Sequence, residues 1–167
     1  MKRTFGLFIC FALSLLVAIP GPALAMTTTQ QQEFTRIMNL GLNDLAEETS
    51  RLLTQQNPGE TWQKYDFPDF VYTSKPVEMG YKIAVKAPEV LRINTCYCFC
   101  DTMGHTTLLN CFWKDGKVGG SFDDHASGCN ICTGEAMLSF LWKNLGASDA
   151  EIRQGMAKKF EKLIKKP

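Results

Sequence analysis

Six cysteines crowd the stretch 96–132 of a 167-residue chain: Cys96, Cys98, Cys100, Cys111, Cys129 and Cys132. The only two histidines, His105 and His125, fall in the same window. Thiolates are soft ligands for Cu(I), Zn(II) and iron–sulfur clusters, and imidazole is a common partner ligand. Along the chain the pattern runs Cys-x-Cys-x-Cys, then a lone Cys, then Cys-x-x-Cys. Side chains alternate along extended backbone, so the first run sets its sulfurs on one side. The last pair is one helical turn apart at the start of an apolar helical segment. Unsatisfied N–H groups and the helix dipole favour thiolate there. Cys111 follows Leu108 and Leu109, which puts it on the inner face of a short helix beginning near His105. Phe99, Phe112 and Trp113 beside these sulfurs would exclude water.

One tetrahedral zinc ion takes four thiolates and leaves two over. Iron–sulfur clusters use four cysteines and are unusual in exported proteins. Cu(I) accepts two or three thiolates per ion and lets thiolates bridge, so six sulfurs suit a Cu(I) cluster, with zinc second. His105 and His125 are candidate ligands or hydrogen-bond partners of ligands. Met103 and Met137 carry thioethers that soft ions accept, although a helical Met more often fills a core. Disulfides are the rival use of the same residues. Staples usually close long loops, whereas these would tie one segment to itself, and Cys-x-Cys neighbours make poor mutual partners. Two alternatives therefore stay open: a disulfide-stabilised interaction module without metal, and a thiol–disulfide oxidoreductase working through Cys129 and Cys132. Haem attachment needs a His where Thr133 stands, and no Gly-rich phosphate loop or G-x-S-x-G occurs. No catalytic residue is assigned and enzyme activity is not expected.

Residues 1–25 have the form of a secretory signal peptide. Lys2 and Arg3 precede an apolar run over 5–19 that contains Cys10; Pro20-Gly21-Pro22 breaks it and Ala23-Leu24-Ala25 is a cleavage signal. The run is short of the roughly 20 residues that span a bilayer. No cysteine follows the cleavage signal, so no lipid anchor is expected. The mature chain is expected to be exported, periplasmic or secreted, with no stable membrane insertion. Such a compartment permits disulfides. Without Lys2 and Arg3 the formal charge moves from +1 to −1, which offers nucleic acid no attractive field. The expected partners are metal ions and another metal-handling protein.

Hydrophobic residues make up 45% and charged residues 21%, which excludes a disordered chain. The spacing of Phe34, Met38, Leu42, Leu45, Leu52 and Leu53 predicts one amphipathic helix over 30–53, ended by Asn57-Pro58-Gly59. Trp62, Tyr65, Phe67, Phe70 and Tyr72 lie without clean period and read as a loop with its aromatics turned inward. Helices are expected over 78–86 and 129–145, with a turn from Pro88 to Leu91 and a cap at Gly146. Ser148 and Glu151 form a capping-box signature that opens a last helix. Ile152, Met156, Phe160, Leu163 and Ile164 line its inner face, and Lys158, Lys159, Lys162, Lys165 and Lys166 its solvated side. No segment alternates as a strand. The expected fold is mostly α: a small helical domain with a cysteine-rich irregular insert between helices. Residues 26–75 supply the N-terminal helix and aromatic loop, and 76–167 the Cys/His-rich helical core.

In these residues the chain resembles the bacterial PCYCGC-motif proteins, a largely uncharacterised exported family that includes many lipoproteins. The resemblance lies in Ala87-Pro88-Glu89-Val90-Leu91, Cys96-Tyr97-Cys98-Phe99-Cys100, Gly104-His105, Leu108 to Phe112, His125-Ala126-Ser127-Gly128-Cys129-Asn130-Ile131-Cys132 and Glu151-Ile152-Arg153. It spans about 78–165, with a looser match over 30–75. Thr95 stands where the family has Pro, and Phe99 where it has Gly. Phe resists the left-handed angles that Gly permits, so a more extended turn is expected here. The resemblance implies a shared cysteine/histidine site and a bacterial origin, and supplies no activity.

Overall fold

The computed structural model describes residues 26–98 and 103–164, with the side chain of Ile164 excepted. The expected signal peptide, Phe99, Cys100, Lys165 and Lys166 lie outside the described residues. Six α-helices appear among the described residues: α1 Thr28–Asn39, α2 Leu42–Gln56, α3 Lys75–Lys86, α4 Asn130–Leu145, α5 Asp149–Lys159 and the short α6 Glu161–Ile164. Short 3-10 turns fill the segments between them. The described residues contain no strand, only an isolated bridge between Trp113 and Phe122. The fold is therefore mostly α, with the cysteine-rich segment between α3 and α4.

The centre of the fold is α4, buried at every residue from Cys132 to Trp142. A helix that is apolar nearly all round must be enclosed on all sides. Helices α1, α2, α3 and α5 all pack against it. Cys129 caps its N-terminus, and Gly146 ends it at φ 97°, a left-handed angle that costs Gly nothing.

The single helix expected over 30–53 is instead two. Leu40 and Gly41 are extended, with ψ of 147° and 163°, and Gly41 serves as the N-cap of α2. The apolar period runs across the break because both helices bury a stripe against α4, through Phe34, Ile37 and Met38 in α1 and Leu45, Ala46 and Leu53 in α2. The first expected helix start was also late, since a Thr27–Gln30 capping box opens α1. Likewise α3 begins at Lys75, capped by Ser74.

Two 3-10 turns, Trp62–Tyr65 and Asp69–Tyr72, carry the aromatic segment. Phe67 lies on Phe122 with centroids 5.2 Å apart, and Phe70 on Tyr81 at 5.6 Å. Tyr72 breaks the inward expectation: it is 53% exposed and meets the Phe67 ring edge-on. The expected last helix is interrupted at Phe160, the C-cap of α5. Its ring turns to stack on Tyr97 instead of continuing an α5 stripe. Lys159 stays exposed on the expected solvated face, and its Nζ also donates to the carbonyl of Met38 at 2.6 Å.

Phe34 and Trp142 stack at 4.2 Å and 11°, and the Trp142 Nε1–H donates to the Phe34 carbonyl at 3.1 Å. Gly155 of α5 lies against this pair: a Cβ there would sit 2.6 Å from Phe34 Cζ and 2.9 Å from Trp142 Cη2. Gly155→Ala therefore overpacks the joint of α1, α4 and α5. Urea unfolding should show a loss of about 1–3 kcal/mol, the usual penalty of a forced core shift.

Candidate metal centre

Three separated pieces of chain bring sulfur to one place. The first is the segment after the 3-10 turn Pro88–Arg92. Its path is held by the N–H of Leu108 donating to the Asn94 carbonyl at 3.0 Å and by Asn94 Nδ2 donating to Ser139 Oγ at 3.1 Å. The Tyr97 N–H then donates to Glu135 Oε1 at 2.7 Å, and the Tyr97 ring stacks on Phe160 at 5.6 Å. Cys96 and Cys98 flank that anchored peptide. The second piece is the 3-10 turn Leu108–Cys111, braced by the Thr107 N–H donating to Asn110 Oδ1 at 3.1 Å. It leaves Cys111 fully buried, as its place after Leu108 and Leu109 suggests. The third is the start of α4, with Cys129 at the cap and Cys132 buried in the first turn.

Cys96 Sγ lies 3.2 Å from Cys98 Sγ and 3.4 Å from Cys132 Sγ, and Cys132 Sγ lies 3.6 Å from Cys98 Sγ. These contacts are much longer than the roughly 2.0 Å of a disulfide. They approach the separation of about 3.8 Å that ligands 2.3 Å from one tetrahedral ion must have. Cys96, Cys111, Cys129 and Cys132 are thiols, whereas Cys98 is disulfide-bonded.

Both histidines join the sulfurs. His105 Nδ1 is 3.5 Å from Cys111 Sγ, and His125 Nε2 is 3.5 Å from Cys98 Sγ. Their rings meet edge to face at 5.2 Å. The His125 backbone is fixed by its N–H donating to Asp123 Oδ1 at 2.9 Å. Three donor groups result: Cys98, His125, Cys129 and Cys132; Cys96, Cys111 and Cys132; and His105, Cys111 and His125. Within each, the donor atoms lie within 4.8 Å of one another, so each group could hold a metal ion. Of the eight candidates from the sequence, seven stand in these groups, and Cys100 lies outside the described residues. Met137 is fully buried core, while Met103 is 55% exposed.

The thiols divide by protonation. Donation from the Cys132 and Cys96 thiols holds Cys111 down at about 5. The Cys132 thiol, with the backbone N–H groups of Cys132 and Ile131, holds Cys129 down at about 6. The donors shift the other way: hydrogen bonding to Cys111 pushes Cys96 up to about 11, and hydrogen bonding to Cys111 and Cys129 pushes Cys132 well above the usual thiol range. The site thus sets thiols held low against neighbours held high, and a metal ion there would have to displace the protons of the latter.

Sequence reasoning missed Glu135. It is fully buried, and Oε2 has no hydrogen-bond partner. Burial pushes its carboxyl up to about 10, with the neighbouring Cys96 charge adding to the effect. The signal was present: Glu135 is the one charged residue in the apolar run 133–142, one helical turn beyond Cys132.

The chain matches, over residues 28–167, a family described as proteins of unknown function with a PCYCGC motif. It belongs to that family. Within the PCYCGC family the match takes in the N-terminal helices as well as the cysteine segment. No curated protein and no solved structure matches this chain.

Glu135→Ala leaves the buried Tyr97 N–H without an acceptor and should lower the stability of the metal-free protein by about 1–3 kcal/mol. Glu135→Gln keeps an acceptor without the charge. In wild type the unfolded carboxyl ionises above its ordinary value near 4.5, but the folded one only near 10. Folded stability therefore falls as pH rises between those values. The Gln variant should gain on wild type across that window, as read by thermal unfolding at a series of pH values.

Proposed function

We propose that this protein is an exported soft-metal-binding protein that stores, buffers or hands on Cu(I), held by a cluster of cysteine thiolates. The observation that carries the reading is the convergence of five cysteines and both histidines into donor groups that share Cys111, Cys132 and His125. The group of Cys98, His125, Cys129 and Cys132 is a set that zinc also takes, but the sharing of thiolates between groups is how several Cu(I) ions are held together. Glu135 adds no ligand to these groups; it fixes the Cys96–Cys98 segment by its bond to Tyr97. Export rests on the form of residues 1–25. No helix of the described residues is long and apolar enough to cross a membrane.

One observation favours thiol–disulfide exchange instead, the disulfide at Cys98. In such a step a thiolate would bond to Cys98 Sγ and expel the former partner as thiolate, with no net oxidation. Cys96 and Cys132, at 3.2 and 3.6 Å, are held protonated and are poor nucleophiles; Cys129, held low and within 4.8 Å of Cys98 Sγ, is the thiolate that such a step would use.

Native intact-mass measurement of the reduced protein after Cu(I) loading tests the proposal. More than one copper per chain is expected. Cys132→Ser, which removes a sulfur common to two donor groups, should lose most of that copper, and Ser127→Ala should lose none. A reduced wild-type chain that retains no metal defeats the reading.

A further inference from the structure

The three donor groups differ in kind and in depth. Two are dominated by sulfur and share Cys132, which is fully buried. The third has two imidazoles and one sulfur, and it shares Cys111 with the group of Cys96 and Cys132. It also borders an open cleft of about 520 Å³, lined by His105 together with Met103, Asp115 and Asp123. The Met103 thioether stands on that cleft, 55% exposed. From the cleft inward the donors thus run from the exposed Met103 thioether and the partly buried imidazoles to the fully buried sulfurs of Cys111 and Cys132, with Cys96 half-buried beside them. The thiolates bind a soft cation more strongly than the imidazoles do, and Cys111 and Cys132 are the least accessible of these donors.

From this order we infer that His105, Cys111 and His125 form a transit site, through which Cu(I) passes between the cleft and the buried sulfurs. The inference rests on the Cu(I)-binding reading and adds a route to it. An ion held by His105, His125 and Cys111 moves inward by ligand exchange. Bonds from the metal to the two imidazole nitrogens break as bonds to Cys132 and Cys96 Sγ form, and the protons of those two thiols leave to buffer. The bond to Cys111 persists throughout, so the ion is never released to solvent. No electron is transferred. Soft cations prefer thiolate to imidazole, so the ion rests inside and only passes through the outer position. Asp115 and Asp123 line the cleft together with Lys114, so its charged side chains leave one net negative charge beside the route.

The test uses the reduced full chain, with Cu(I) presented as its complex with a coloured chelator and exchange followed by stopped-flow absorbance. His105→Ala should slow both uptake and release by about tenfold, in line with the effect of losing a group that supports a metal site. Met103→Ala, at an exposed position where folding is not at stake, should slow uptake in the same direction and leave capacity unchanged. Wild-type rates in both variants overturn the transit site while leaving the Cu(I) cluster standing. Loss of bound copper in His105→Ala also overturns it, because His105 is then a ligand of the resting cluster. A wild-type chain that takes up no Cu(I) removes both readings together.

Discussion

A buried carboxyl oxygen accepting one backbone N–H, Glu135 to Tyr97 at 2.7 Å, is the contact on which the sulfur arrangement depends. Cys96 and Cys98 flank the donor, and Cys132 sits one turn before the acceptor on α4. The bond therefore sets the separation of two sulfur groups that are far apart in sequence. It is one of a series. Cys132, Glu135 and Ser139 follow at spacings of three and four, so they share one face of α4. That face presents a sulfur, a carboxyl and a hydroxyl, the last bonded to Asn94. An irregular segment crossing a buried helix has backbone and side-chain polar groups to satisfy. The polar stripe on an otherwise apolar α4 satisfies them, and in doing so holds the segment where its cysteines meet those of the helix.

Sulfurs this close resist being thiolates together, since each charge opposes the next. The thiol array meets the difficulty by alternation: Cys111 and Cys129 are held low, Cys96 and Cys132 are held high, and Glu135 keeps its proton. Protons thus occupy the places between negative sulfurs. A metal ion in the same places would do the same electrostatic work. The half-buried setting of Cys96 and Cys129 leaves part of the site open, while Cys111 and Cys132 keep its inner side dry.

The helical character of the chain was legible because α3, α4 and α5 each bury a stripe and carry recognisable ends, such as the Ser148–Glu151 capping box and Gly146. The break between α1 and α2 was not, because two extended residues leave the apolar period nearly in phase and no proline marks them. Phe160 was misread for a related reason. Its position suits the inner face of a continuing α5, but its ring finds a larger aromatic partner in Tyr97. For the site, clustering in sequence announced the cysteines and histidines, since short loops cannot carry them far apart. Glu135 was hidden by its setting: within a buried helix its role depends on a backbone N–H brought from 38 residues away, which no local pattern encodes.

The same contact bears on the departures from the family motif. Glu135 grips a peptide N–H, so residue 97 can be any type except proline, which has none. The grip depends equally little on the side chain at 95, where Thr stands in place of the family's Pro and is exposed. A proline there would restrict φ and so limit the conformations open to the segment before folding. Threonine gives up that restriction, and Asn94 on one side and Tyr97 on the other supply the constraint from α4 instead. What the site requires of the motif is then the sulfur spacing and a peptide that α4 can hold. The turn residues between the sulfurs help to preorganise that peptide without defining the chemistry.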